Sequence, residues 1–411
     1  ATTATTTAAA AATAAAAAAT AAAAAAVTTP TAATIAAAVV AAAAATTAAT
    51  IALEFPASPQ LSGEVGTGAA EAGTQATNLF LSLLTSPFSE TRGVVPEIPL
   101  PARPVLIFKA PVYKAPAAEA APDPRRWSIW AATYGGHYSN SGDPVVGSHD
   151  FSETIYGVAA GLDYRVTPNT VVGFALAGAR ANYGLSDNLG GGQSNIFQAA
   201  VYSTTRFNAA YVSAALAYAW NHVSTARVVT LAGTDNLTAN FDANDIGGRI
   251  EGGYRFAIPG VFGLPEFGLT PYAALQVQAF RTPSYSEIAT SGSSTYALAY
   301  NVQTMTTTRG ELGSWVDKTY ALDRGNAFTL FGRAAWAHDW FSDPSMTASF
   351  VSLPGSIFTV TGAVPAHDSL LTTVGAQISF TNGISLLGRF DSELSQHSQT
   401  YIGTAQLRYT F

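Results

Sequence analysis

From Arg126 to Phe411 apolar and polar residues alternate with a period of two, and this restricts the fold more than any other property of the chain. In IGGRIEGGYRF, Ile246, Gly248, Ile250, Gly252, Tyr254 and Phe256 fall on one face of a strand, while Arg249, Glu251 and Arg255 fall on the other. The same split sets Ile384, Leu386 and Phe390 against Arg389, Asp391 and Glu393. It sets Phe328, Leu330, Trp336 and Trp340 against Arg333 and Asp339, and Tyr401, Leu407, Tyr409 and Phe411 against Gln406 and Arg408. Runs this long exceed the roughly 5–6 residues of a sandwich strand and suit tilted strands that cross a bilayer and project beyond it. Charged residues make up only 11% of the chain, against about 25% in soluble domains, so many faces never meet bulk water.

The spacing predicts twelve strands, at 126–138, 151–165, 170–184, 193–206, 209–223, 240–256, 268–281, 302–319, 326–340, 366–380, 383–395 and 399–411. An even number of antiparallel strands with one greasy and one charged face closes into a transmembrane β-barrel with a polar lumen. The expected lumen-facing polar residues are Arg249, Glu251, Arg255, Arg309, Glu311, Arg333, Asp339, Arg389, Asp391 and Arg408. TPNT, RFNA, DRGN and TNG read as short turns; 139–150, 185–192, 224–239, 282–301 and 341–365 read as long polar loops at the other end. The connection 257–267 is intermediate, and 396–398 is a short one at the long-loop end. Trp127, Tyr164, Trp220, Tyr254, Trp336, Trp340, Tyr409 and Phe411 lie near predicted strand ends, as interfacial girdles do. A soluble sandwich explains the alternation of any one strand, but not twelve long strands with a Gly-rich charged face.

Upstream, composition changes divide the chain into four parts. Residues 1–61 are mostly an Ala/Thr tract that encodes no turn chemistry or packing specificity, read as a passenger remnant or a poorly assigned segment; a helix at 34–53 would only marginally suit a bilayer. No charged n-region followed by an apolar core stands at the start, so an export signal is expected to lie outside this sequence. Residues 62–90 contain a helix ended by Pro87, with Leu79, Phe80, Leu83 and Leu84 in its second half and Gly66, Gly68, Ala69, Ala70, Ala72 and Gly73 in its first. At ~1.5 Å per residue it is a rod of about 30 Å, matched to a hydrocarbon layer, and its small-residue half reads as either a frayed surface helix or a segment that fits inside something narrow. Residues 91–125 are a Pro-rich linker. A bore of twelve strands holds one helix.

The stretches RWSIWAATYGGHYSNSGDPVVGSHDFSETIYGVAAGLDYRV and TPNTVVGFALAGARANYGLS, together with the helix, the linker and the terminal Phe411, resemble the translocator domain of the monomeric autotransporters in its alphaproteobacterial form. The resemblance implies type V secretion from the outer membrane, with the passenger at the cell surface. Its implied partners are membrane lipid and lipopolysaccharide, the barrel assembly machinery, periplasmic chaperones and the chain's own passenger. It also implies an assembly signal at Tyr409 and Phe411, from which the chain departs at Gln406, where that signal usually has Gly. Some members release the passenger by cyclisation of a helix Asn, here Asn78, with Glu251 or Glu311 as polarising acids.

A monomer with no cofactor and no metal site is expected. Net charge is −7 with no basic face, which leaves nucleic acid without a docking surface. No Ser-His-Asp, GxSxG or metal-spaced His pattern marks an enzyme; His149, His222 and His367 fall in or near loops, where solvated roles are expected. The absence of Cys suits a threaded chain, because no disulfide locks a loop before passage. The competing reading is a structural or adhesive surface barrel that binds host or matrix through its extracellular loops.

Overall fold

The computed structural model describes residues 59–87, 125–143, 145, 147–259, 266–341 and 344–411. The Ala/Thr tract up to residue 58, with the helix considered at 34–53, and nearly all of the Pro-rich linker lie outside the described residues.

Twelve long antiparallel strands close on themselves. They are β1 (Trp127–Asn140), β2 (Phe151–Thr167), β3 (Thr170–Leu185), β4 (Gly191–Phe207), β5 (Ala210–Val229), β6 (Asp235–Tyr254), β7 (Phe267–Thr282), β8 (Gln303–Ala321), β9 (Ala327–Phe341), β10 (Asp368–Ser379), β11 (Ile384–Leu394) and β12 (Ser398–Thr410). Each pairs with its chain neighbours, and β1 pairs with β12 in unbroken register from Ser128↔Thr410 to Asn140↔Ser398. Trp127 and Phe411 exchange backbone hydrogen bonds of 3.1 and 2.8 Å at the seam, so no edge remains there. Outward positions such as Ile246, Ile250, Leu386 and Leu407 stay exposed while their neighbours in sequence are covered, as period-two patterning demands.

Three predicted loops are more ordered than their composition suggests. The segment 224–239 is mostly strand: β5 and β6 stay paired to Val229↔Asp235, leaving only a turn at 230–234. Beyond a bilayer the outer face of a hairpin need not be apolar, so polarity was a poor guide to where the strands end. Segments 282–301 and 341–365 jointly build a four-stranded sheet, ordered Leu353–Thr361, Ser345–Phe350, Leu298–Tyr300 and Tyr285–Ser286. Tyr296, Leu298, Tyr300, Met346, Phe350 and Phe358 are buried in it. Trp220 and Trp336 lie well inside β5 and β9 rather than at their ends, because those strands run past them.

The α-helix of the described residues, α1 (Val65–Thr85), follows a 3-10 turn at Pro59–Leu61 and runs inside the barrel, against β3, β4, β5 and β6 and more lightly β2 and β7. Its Val65 end meets the long-loop side, where Gly190 and Leu298 lie close; its Phe80–Leu84 end packs with Trp130 and Tyr202 near the short turns. No helix among the described residues is long and apolar enough to cross a membrane, and α1 instead stands in the bore.

Candidate functional site

The seat of α1 follows from side-chain volume. In its first half a β-carbon on Gly66 would lie 2.8 Å from the Tyr285 hydroxyl and the Tyr300 ring, and one on Gly68 would lie 2.8 Å from Phe151 and Tyr183. At Gly73 it would overlap the Phe280 ring. In the second half the sizes reverse: Phe80, Leu81, Leu83 and Leu84 project from the helix into a wall of inward alanines that includes Ala132, Ala159, Ala177 and Ala215. The small-residue half is therefore thin because the barrel is thick there.

On the side of the bore that α1 leaves open, charges fill the space. Arg249 donates to both carboxylate oxygens of Glu311, at 2.6 and 2.9 Å, and to Glu251 at 2.8 Å. Arg309 makes paired bonds of 2.6–3.0 Å to both Asp339 and Glu393. Arg333 lies 3.7 Å from Glu311 and 3.8 Å from Asp391, stacks over Trp315 and donates to Thr373. Arg389 pairs with Asp391 at 2.9 Å, and Arg408 with Asp163, which also accepts from Tyr202. Arg255 differs from expectation: β6 ends at Tyr254, so Arg255 sits at the short-turn rim with its side chain 42% exposed, paired with Asp317 at 2.7 Å. Bidentate geometry and mutual neutralisation allow this many charges out of bulk water.

Asn78 lies on α1 beside a small cavity of about 60 Å³ lined by Arg249, Arg309, Glu311 and Arg333. Its carboxamide oxygen accepts from Gln276. The acids expected to polarise it are already engaged, Glu311 by Arg249 and Tyr272, and Glu251 by Arg249 and Tyr211. Tyr409 and Phe411 point outward at the short-turn end with their rings stacked at 5.6 Å.

Several residues that position the helix escaped the pattern. Glu64 and Glu71, seven positions apart on one helical face, are both buried; Glu71 accepts from Tyr138 at 2.6 Å and from Asn140 at 3.3 Å. Glu64 accepts from the His149 backbone N–H at 2.8 Å and faces its Nδ1 at 2.7 Å. His149 is therefore a helix-end partner rather than a solvated loop residue. Burial raises the Glu64 carboxyl above its ordinary range, against the lowering effect of His149. At the same end Arg227 and Glu287, each 1% exposed, form a bidentate pair of 2.7 Å bonds. Arg227 also donates to the Gln60 carbonyl at 2.7 Å, and Tyr300 donates to the Gly63 carbonyl at 2.9 Å. These groups grip Gln60 and Gly63 at the long-loop end of the helix. The only signal available for them was an isolated charge within each loop.

Among the described residues no cluster of His, Asp and Glu has the makings of a metal site. The family model described as the autotransporter beta-domain matches residues 129–391. The chain is 26% identical over 289 residues to an extracellular serine protease of Serratia marcescens; the match takes in 69% of this chain but only 26% of that relative. Among solved structures, the β-domain of the Bordetella autotransporter BrkA aligns with a TM-score of 0.54 at 18% identity, over 70% of this chain and all of that one. The translocator domain of NalP from Neisseria meningitidis aligns with a TM-score of 0.54 at 16% identity, over 70% of this chain and 89% of that one.

Proposed function

The chain belongs to the autotransporter β-domain family, and from that premise we propose how this outer-membrane translocator works. The barrel exports the segment N-terminal to α1 and is left plugged by α1 when export ends. One observation carries the reading: α1 is oriented with its N-terminal end at the long-loop mouth, so Pro59 and everything before it attach at the end that faces the cell exterior in outer-membrane barrels. A passenger folding outside gains burial that its threaded form lacks, which biases movement outward without ATP.

On this reading Arg249, Glu251, Arg309, Glu311, Arg333, Asp339, Arg389 and Asp391 keep the bore polar and hold no catalytic role, and Arg408 braces the β1–β12 seam. Tyr409 and Phe411, outward on the strand that closes the barrel, present the strand that the assembly machinery recognises, after periplasmic chaperones deliver it. The transport unit itself is not an enzyme; any hydrolytic activity belongs to the passenger. Where the passenger is cut free, Asn78 is the candidate, since it faces the ionic cavity; Asn78→Ala then abolishes processing, and unchanged processing removes it from consideration. The long loops bury Tyr296, Leu298, Tyr300, Met346, Phe350 and Phe358 beside the helix entrance, which favours export, and leave Val145, Ile288, Val351 and Ile357 exposed, which is the surface an adhesin would use.

An epitope placed before Pro59 in the full-length protein tests the central claim. It should be protease-accessible on intact cells while an epitope inserted in the 88–124 linker is not; the reverse labelling would overturn the assignment.

A further inference from the structure

The outward face of the barrel carries a hollow that export does not use. Where β10, β11, β12, β1, β2 and β3 lie side by side, outward positions are small: Ala131, Ala160, Gly178, Gly388 and Ala405. The hollow measures about 960 Å³ and is walled by apolar side chains such as Leu176, Leu386 and Leu407. A second hollow of about 490 Å³ shares Thr133, Val158, Gly178 and Phe197 with the first and continues to Tyr156, Arg180, Asn195 and Trp220. A β-carbon added at Gly178 or Gly388 meets nothing within 4 Å, so packing of the barrel does not demand glycine there. Its effect is to leave room on the lipid side.

The charge lies at one end only. Arg180 stands on β3 in the row of Tyr156 and Asn195, five residues before the strand ends at the long-loop side. It donates to Gln193, its buried Nε has no partner among the described residues, and no acidic side chain lines either hollow. An outward guanidinium with no counter-ion among the described residues, level with Tyr156 and Trp220 as an interface girdle, is matched by an anion at the membrane surface, and its planar fork suits phosphate. The apolar floor alongside is matched by acyl chains, since an unfilled hollow forfeits dispersion contacts. We propose that the joined hollows bind one phosphate-bearing, multiply acylated lipid of the outer leaflet, with its phosphate on Arg180 and its chains over Gly178 and Gly388. The proposal rests on the barrel standing in the outer membrane with its long loops outside.

The test uses the full chain refolded in detergent, with native mass spectrometry against lipid A and its dephosphorylated counterpart. The wild type should retain one lipid A and prefer it over the dephosphorylated form. Arg180→Gln should lower that retention roughly tenfold and erase the preference, the loss of one charge-assisted contact. Gly178→Leu, whose β-carbon meets nothing within 4 Å, should weaken both lipids. Heat-modifiable gel mobility confirms that both variants fold. Unchanged retention in both variants overturns the site, as does a wild-type dimer that Gly178→Leu dissociates while lipid retention stays the same. Surface display of the epitope before Pro59, measured on the same variants, judges the export reading separately.

Discussion

The two halves of α1 are seated by opposite means. Towards the long loops the helix is thin and the barrel supplies rings; towards the short turns the helix supplies Phe80, Leu83 and Leu84 and the barrel supplies alanines. The source of the bulk changes sides from one half to the other, so the packing of helix and wall is a property of the pair. The difference teaches that the upper half is a steric collar, intolerant of added atoms, whereas the lower half is an ordinary core, intolerant of lost ones.

The largest effect should come from adding bulk to the collar. Gly73→Leu collides with Phe280, and since both helix and strand are fixed there, the helix should fail to seat and the barrel should gain conductance in planar bilayers; Gly73→Leu with Phe280→Ala should close it again. If the single variant stays closed, the collar does not hold the plug. Next in size, Arg249→Met strands Glu251 and Glu311 in the ionic belt, at a cost of about 3–5 kcal/mol in barrel stability, read as a fall in unfolding midpoint in urea. Arg249→Met with Glu311→Gln should recover part of that loss.

In the lower half, Leu84→Ala removes a buried side chain and should cost about 2–4 kcal/mol without blocking entry of the helix, so conductance should flicker rather than stay open. The smallest effect is electrostatic. Because burial raises the Glu64 carboxyl in the folded state, the folded form holds its proton more tightly than the unfolded one; the resulting stability is present at acid pH and is lost as pH rises through the raised value. Seating of the upper half should therefore loosen slightly from acid towards neutral pH, and Glu64→Gln should flatten that dependence in hydrogen exchange of the first helical turns. A slope unchanged by Glu64→Gln assigns the titration to another group.

What was legible along the chain followed from locality. Strand parity, and with it the outward Ile250 and the inward Arg249, is decided between adjacent residues, and so is the contrast between the Gly/Ala and Leu halves of α1. The twelve strands and the existence of the helix follow from those patterns alone, because a period of two and a period of 3.6 both repeat within a few residues, whereas the choice between a surface helix and one inside the bore did not. Tertiary structure alone decided the partners. Arg249 and Glu311, Arg227 and Glu287, and Glu64 and His149 are 62, 60 and 85 positions apart. The small sheet over the helix takes its strands from two separate loops. Such pairings depend on closure of the cylinder, which brings distant segments to the same height and angle around the bore, and no window of sequence contains that distance.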